Sequence, residues 1–221
     1  MQKYVDFSKK IKKLLGLKSS PVAVSFSTKA PAGVKQMKGE ARLCQMLDTV
    51  RLDGESFYTT ADNHACDGGA GSCGMKEMSE RIRTGEFLVR MGLFGSTRAA
   101  RRFISSNPRV ETGTVSVTSF SPLEKASFEP DIVVLICNAK QGMVVSEAYA
   151  YETGKRTTGM TGPPICSSIV AAPFITGEIV YSLGDHGARK NMRVSDDDIF
   201  VGIPAELLSC IVGNLEKMKN L

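Results

Sequence analysis

The sequence predicts an α+β protein: a single mixed α/β domain over residues 1–221, with about seven short strands in a central sheet and about six flanking helices. Three observations carry this. Asp131 to Cys137 holds a continuous apolar run, Ile-Val-Val-Leu-Ile, as a central strand buried on both faces requires. Shorter stretches alternate β-branched with small or polar residues, the period of a half-buried strand. Between them, apolar residues recur at helical spacing, and no repeat or low-complexity linker divides the chain. With 221 residues, 42% hydrophobic and 23% charged, the chain can bury a sizeable core.

Taken in order, Asp6 to Leu15 reads as a helix, with Phe7, Ile11, Leu14 and Leu15 on one face and Gly16 as its stop. Val22 to Phe26 is a strand. Glu40 to Val50 is a second helix whose inner face includes Leu43, Leu47 and Cys44. Glu55 to Thr60 is a short strand, followed by a glycine-rich loop from His64 to Gly74. A helix is expected from Met75 to about Ile82. Another starts at a Ser96 or Thr97 cap and runs to Ser105, before Asn107-Pro108. Thr112 to Phe120 is a strand, and Asp131 to Cys137 is the central one. Lys140 to Glu152 is a helix stopped by Gly154. Thr157 to Pro164 is a polar loop. Cys166 opens an apolar segment that Pro173 is expected to stop. Glu178 to Leu183 and Ile199 to Ile203 are strands separated by the glycine-flanked turn 184–187. Pro204 starts the last helix, with Leu208, Ile211, Val212 and Leu215 inward.

Composition removes several function classes. No apolar run approaches the roughly 20 residues of a membrane helix. Met1 to Leu17 is charged and amphipathic with no apolar centre, so a secretory signal is not expected and the cytoplasm is the expected compartment. The net charge is +5, aromatics are 7% without Trp, and they do not interleave with basic residues, so a stacking platform for nucleic acid is not expected. There is no G-x-S-x-G elbow, P-loop, H-E-x-x-H or Rossmann glycine fingerprint. Asp196-Asp197-Asp198 reads as an exposed turn.

Six cysteines in a reducing compartment are not expected to form structural disulfides. Cys137, ending the central strand, and Cys210, in the last helix, read as small core hydrophobes. Cys66 and Cys73 lie in an eleven-residue stretch with four glycines, where apolar packing explains little. Cys44 precedes them on a helix, and Cys166 follows Gly162-Pro163-Pro164-Ile165. Four thiolates on separate elements suit an iron–sulfur cluster, with 4Fe-4S as the expected type. Zinc is less suited, because no pair shows the short C-x₂₋₄-C spacing of zinc knuckles. Gly68, Gly69, Gly71 and Gly74 would fold the backbone over such a cofactor. His64 and His186, the only histidines, are candidate proton carriers or ligands.

Several stretches together resemble the uncharacterised archaeal cysteine-rich family, domain of unknown function 169. They are Pro21-Val22-Ala23-Val24, Arg42-Leu43-Cys44, Cys66 with its glycines, Ser121-Pro122-Leu123 and Phe128 through Val134. Asn138-Ala139-Lys140-Gln141, Cys166, the 184–187 turn and Val201-Gly202-Ile203-Pro204 complete the set, from about residue 5 to 219. The resemblance implies a cytoplasmic protein of archaea or anaerobic bacteria with Cys44, Cys66 and Cys166 as the family's cysteines. At Cys73 many relatives carry an apolar residue, and at Asp185 some carry cysteine. The fourth ligand is therefore Cys73, Asp185 or His186, or one iron is left open.

The expected function is an iron–sulfur protein of anaerobic metabolism with an electron-transfer or redox role. A redox protein is its expected partner, and a homo-oligomer is allowed. Two alternatives stand beside it. One is a binding module for an anionic small molecule or tetrapyrrole, using the glycines with Arg98, Arg101 or Arg102. The other is a thiol enzyme with Cys66 as nucleophile and His64 or His186 as base.

Overall fold

The structure, a computed structural model, describes residues 1–218; the predicted domain's last three positions, 219–221, lie outside the described residues. Helix α1 (Gln2–Leu15) begins four residues earlier than its apolar pattern suggests and ends as expected at Gly16, whose φ of 64° is left-handed. Strand β1 (Val22–Ser27), helix α2 (Leu43–Asp53) and strand β2 (Phe57–Thr59) follow close to their expected places.

The next stretch departs from expectation. The glycine-rich segment is a helix, α3 (Asp67–Ser72), with Cys66 at its N-terminal cap and Cys73 at its C-terminal cap. The expected helix at 75–82 shrinks to α4 (Glu80–Arg83), which is followed by α5 (Glu86–Arg90) and α6 (Thr97–Ser105). The sequence period at 75–82 was real, but Met78 is spent on a small separate core with Leu88, Ala100 and Ile104. Ser96 caps α6, its Oγ accepting from Ala99 N at 3.2 Å.

Strand β3 (Val117–Pro122) is shifted toward the C-terminus of its expected range. Strand β4 (Ile132–Asn138) and helix α7 (Ala139–Thr153) stand where expected. Asn138 and Gln141 close a reciprocal cap on α7, each side chain accepting from the other's backbone N–H at 2.9 Å. The expected polar loop contains a two-residue strand, β5 (Thr158–Gly159). Ser167–Ala171 forms one π-helical turn and runs directly into α8 (Ala172–Thr176). Pro173 therefore does not stop the segment. It is the second residue of α8, directly after the π-helical turn. Strand β6 (Val180–Ser182), helix α9 (His186–Asn191), strand β7 (Asp198–Pro204) and helix α10 (Leu208–Lys217) complete the chain.

All seven strands form one sheet in the order β2-β3-β1-β4-β7-β6-β5. Every pair is antiparallel except β5 with β6. The apolar run thus sits at the centre, paired with β1 and β7. Its alternate residues feed two cores. Val133, Leu135 and Cys137 pack under α1, α7 and α10. Ile132, Val134 and Ile136 pack under α2, the π turn and α9, together with Cys44, Cys73 and Cys166. Gly202 on β7 lets the π turn lie against the sheet: a Cβ there would stand 2.1 Å from the carbonyl oxygen of Ile169. There are ten α-helices among the described residues, against about six expected, because the second face is built from short pieces.

Candidate functional site

Backbone pairing first brings two of the thiols' segments together. Ala41 N donates to Asn63 O and Ala65 N to Ala41 O, both at 2.9 Å. The residues entering α2 are thereby zipped to those entering α3. Asn63 reinforces this, its Nδ2 donating to the carbonyls of Met37 and Gly39. Cys44, the second residue of α2, is buried. Cys66 is half-buried at the start of α3, and Cys73 is buried at its end. Seven residues at 1.5 Å rise set their Cα atoms about 10 Å apart, too far for a disulfide. All six cysteines are free.

The small residues of α3 are used for close packing. A Cβ on Gly69 would lie 2.8 Å from His64 Nδ1 and 3.1 Å from Leu43 Cβ. One on Gly71 would strike Met78 Cγ at 2.5 Å, and one on Gly68 would stand 3.1 Å from Pro164 Cβ. Gly74, at φ 72°, faces Val110 and the carbonyl of Glu111. The helix is thus wedged between α2, His64 and the segment that leads to Cys166.

That segment is anchored by Asp185. Its Oδ2 accepts from Ile165 N at 2.6 Å, and its Oδ1 accepts from Ala188 N at 2.9 Å, capping α9. Ser167 Oγ donates to Pro108 O at 2.6 Å. Cys166, between these ties, is buried.

The four expected thiols fall within range of one another's charge. Burial pushes the Cys166 thiol well above the usual range, and Cys66, Cys44, Cys73 and Asp185 each push it further. Burial raises Cys44 to about 12, with Cys66 and Asp185 adding to it. Burial raises Cys73 to about 12, with Cys66 adding. Cys66 therefore acts on all three buried thiols, and it is the one with access to solvent. Among the described residues, no three His, Cys, Asp or Glu side chains stand in a metal-holding arrangement.

The remaining candidates separate from this centre. His64 is buried and neutral, its pKa lowered to about 4 by burial and by Lys76. Its Nε2 bonds Thr59 Oγ1 at 3.2 Å, and its Nδ1 has no partner among the described residues. His186 is exposed on α9. Neither imidazole is hydrogen-bonded to Cys66 among the described residues, so neither is placed as its base. Cys137 is core, as expected. Cys210 is not: it lies half-exposed on α10, its Sγ 3.4 Å from Asn214 Nδ2, because position 210 falls at the edge of that helix's apolar face. Arg98, Arg101 and Arg102 are exposed on α6, whereas Gly69, Gly71 and Gly74 are buried against protein atoms, so they do not form one open anion cradle.

Sequence reasoning missed the supports. Asp185 was singled out as a ligand candidate, yet both its oxygens hold backbone; an Asp just ahead of a short helix is the cap signal that could have shown this. Asp48 was not noticed. It is buried on α2, where Arg51 Nη2 reaches it at 2.6 Å and Arg193 Nε at 2.8 Å, tying α2 to the loop before β7.

Among the described residues, no helix is long and apolar enough to cross a membrane. The family model for the uncharacterised ArCR group, domain of unknown function 169, matches residues 10–214. An uncharacterized protein of Methanocaldococcus jannaschii is 29% identical over 220 residues, covering 97% of this chain and 94% of that protein. No solved structure matches. With the family model spanning nearly the whole chain, this protein belongs to the uncharacterised ArCR family, domain of unknown function 169.

Proposed function

We propose that Cys44, Cys66, Cys73 and Cys166 bind an iron–sulfur cluster and that the protein has a redox role in the cytoplasm. The observation that supports this reading is the gathering of four free thiols, from α2, the two ends of α3 and the start of the π-helical turn, around Cys166. Donor chemistry fits: thiolates are the usual ligands of such clusters. Three of the thiols are buried, and burial outweighs the one cation that favours ionisation, Arg42 near Cys44, so ionising them together is costly unless a positive centre compensates. Ligation asks the thiols to turn toward one another from the positions they hold here. When bound, the cluster supplies one-electron chemistry. The chain's own part is to hold Cys166 through Asp185, to exclude water around Cys44 and Cys73, and to leave Cys66 facing solvent.

Anaerobic expression with cluster-assembly machinery tests this. The expected product is brown, with about four irons per chain. A colourless, iron-free protein overturns the reading, and selective alkylation of Cys66 in that protein supports the thiol enzyme instead. Cys44→Ser, Cys66→Ser and Cys166→Ser are expected to lose iron. Cys73→Ser identifies the fourth ligand: full retention of iron assigns it to Asp185, to His186 or to an open site.

A further inference from the structure

Residues 75–110 form a helical cap of α4, α5 and α6 with its own small core. Its charge is unlike that of the rest of the chain. The segment holds eight Lys and Arg against three Asp and Glu, and so carries the whole net charge of +5. The other residues, with 20 of each sign, are neutral. The cationic type is also skewed: seven of the chain's 12 arginines lie in the cap, and one of its 16 lysines.

Most of these cations are unspent. Lys76 and Arg81 pair with Asp67 at 3.5 and 3.7 Å. Arg83, Arg90, Arg98, Arg101 and Arg102 are exposed and have no carboxylate partner among the described residues. Arg98, Arg101 and Arg102 share one face of α6 at i, i+3 and i+4, opposite buried Ala100 and Ile104. Between α5 and α6 the chain turns at Gly92 (φ 72°) and exposes Met91 by 55% and Leu93 by 38%. Exposed Met91 and Leu93, directly after exposed Arg90 and in the turn before the arginines of α6, match the composition of a protein interface, where Arg and Met are enriched and Lys depleted.

The cap is bolted to two of the three segments that carry the thiols, α3 and the stretch around Cys166. Asn107 Nδ2 donates to Pro163 O at 2.9 Å, Ser167 Oγ to Pro108 O at 2.6 Å, and Val110 N to Ser72 O at 3.0 Å. Asp67, which pairs with Lys76 and Arg81, is the neighbour of Cys66.

We propose that this cap docks an acidic protein surface, with Arg98, Arg101 and Arg102 clamping carboxylates around the Met91–Leu93 tip. Guanidinium forks hold carboxylates in pairs of hydrogen bonds, which a field of lysines does not. Nucleic acid is disfavoured because Phe87 and Phe94 pack against the cap's own core and Phe103 packs on Phe94 and against Gly162, so none is an exposed ring. The docking stands without the cluster; that the partner exchanges electrons through Cys66 rests on the proposed function.

The test uses the full chain, prepared with and without iron, and three probes at low and physiological salt. They are a labelled glutamate-rich peptide bearing leucines, a DNA duplex, and vesicles of anionic phospholipid. The peptide is expected to bind both preparations, and replacing Arg98, Arg101 and Arg102 together with Gln weakens it about tenfold or more. The matching Arg→Lys triple, which keeps the charge, is expected to weaken it severalfold. Lys9→Gln, Lys10→Gln and Lys13→Gln on α1 remove the same charge elsewhere and are expected to leave it intact. No peptide binding, tighter binding of DNA or vesicles, an Arg→Lys triple that binds like the parent, or equal loss in the α1 variant each overturns the proposal. Circular dichroism confirms that these exposed substitutions leave the fold in place. Iron content reports separately on the cluster.

Discussion

The two faces of the sheet are built differently. On one, α1, α7 and α10 are 14, 15 and 10 residues long, and they cover Val133, Leu135 and Val201 with an ordinary apolar core. On the other, α2 has 11 residues, but α3, α8 and α9 have only five or six each, joined to one π-helical turn and braced by buried polar groups. All four gathered thiols belong to this second face. Long regular helices satisfy their own backbone and need only an apolar stripe. Short ones leave most of their backbone groups to be satisfied by side chains such as Asp185 and Asn63, and those side chains fix where the cysteines stand. The irregular face is thus where position is specified residue by residue.

The comparison is broken most severely at Asp48. Asp48→Ala strips the partner from buried Arg51, and a loss of about 3–5 kcal/mol is expected in urea unfolding. A loss below about 1 kcal/mol would mean that the polar bracing is dispensable. Leu135→Ala on the regular face is expected to cost about 2–5 kcal/mol while leaving the alkylation rates of Cys44, Cys66 and Cys166 unchanged in the native state. Altered thiol reactivity there would show the two faces to be one coupled unit.

Acid acts next, and on the irregular face first. In the metal-free protein His64 is held neutral with its pKa lowered to about 4, chiefly by burial. The unfolded chain takes up this proton near pH 6.5, so stability is complete above that value and falls as pH drops toward 4, by about 2–3 kcal/mol. Glu124 on the α1 side is buried in part, but hydrogen bonds from Ser20 and Ser8 hold its pKa below the usual range. Its contribution is lost only at lower pH, below the ordinary carboxylate value. Unfolding midpoints measured across pH 7.5 to 3.5 should show the two windows in that order, and His64→Gln should remove the first.

Two glycine substitutions make the finest contrast. Gly69→Ala drives a methyl toward His64 and Leu43 and is expected to cost about 1–3 kcal/mol. Gly213→Ala on α10 meets open space and is expected to gain about 0.5–1 kcal/mol, because alanine holds a helix better. Equal responses, read as shifts in unfolding midpoint, would erase the distinction between the faces.

Legibility in the sequence follows the same division. Where one apolar period governs an element, residues such as Ile132 to Ile136, or Leu208 with Ile211, Val212 and Leu215, announced it and placed it within a few positions. The same holds for Gly16, Gly154 and Ser96, whose terminating or capping roles are local chemistry. Cys44, Cys66, Cys73 and Cys166 stand out as candidates from residue type and from what apolar packing leaves unexplained. By contrast, the stretch around Gly68–Gly71 was expected to be an open loop. Glycine in the sequence signals backbone freedom or close approach, and the residues approached, Leu43, His64, Met78 and Pro164, are distant in the chain or on other elements. Pro173 likewise reads as a stop locally but sits in the first turn of α8.

The sequence by itself therefore determined every strand but β5, the long helices, the two-sided burial of β4 and the set of candidate thiols, because each depends on interactions between near neighbours or on a residue's own chemistry. Tertiary structure alone decided that α3 is a helix, that Asp185 anchors Cys166, that Asp48 braces α2, and that the arginine-rich segment 75–110 packs against the segments of Cys73 and Cys166. Each of these depends on pairs such as Gly68 with Pro164, Ile165 with Asp185, or Asp48 with Arg193, and only the folded chain brings such partners within reach.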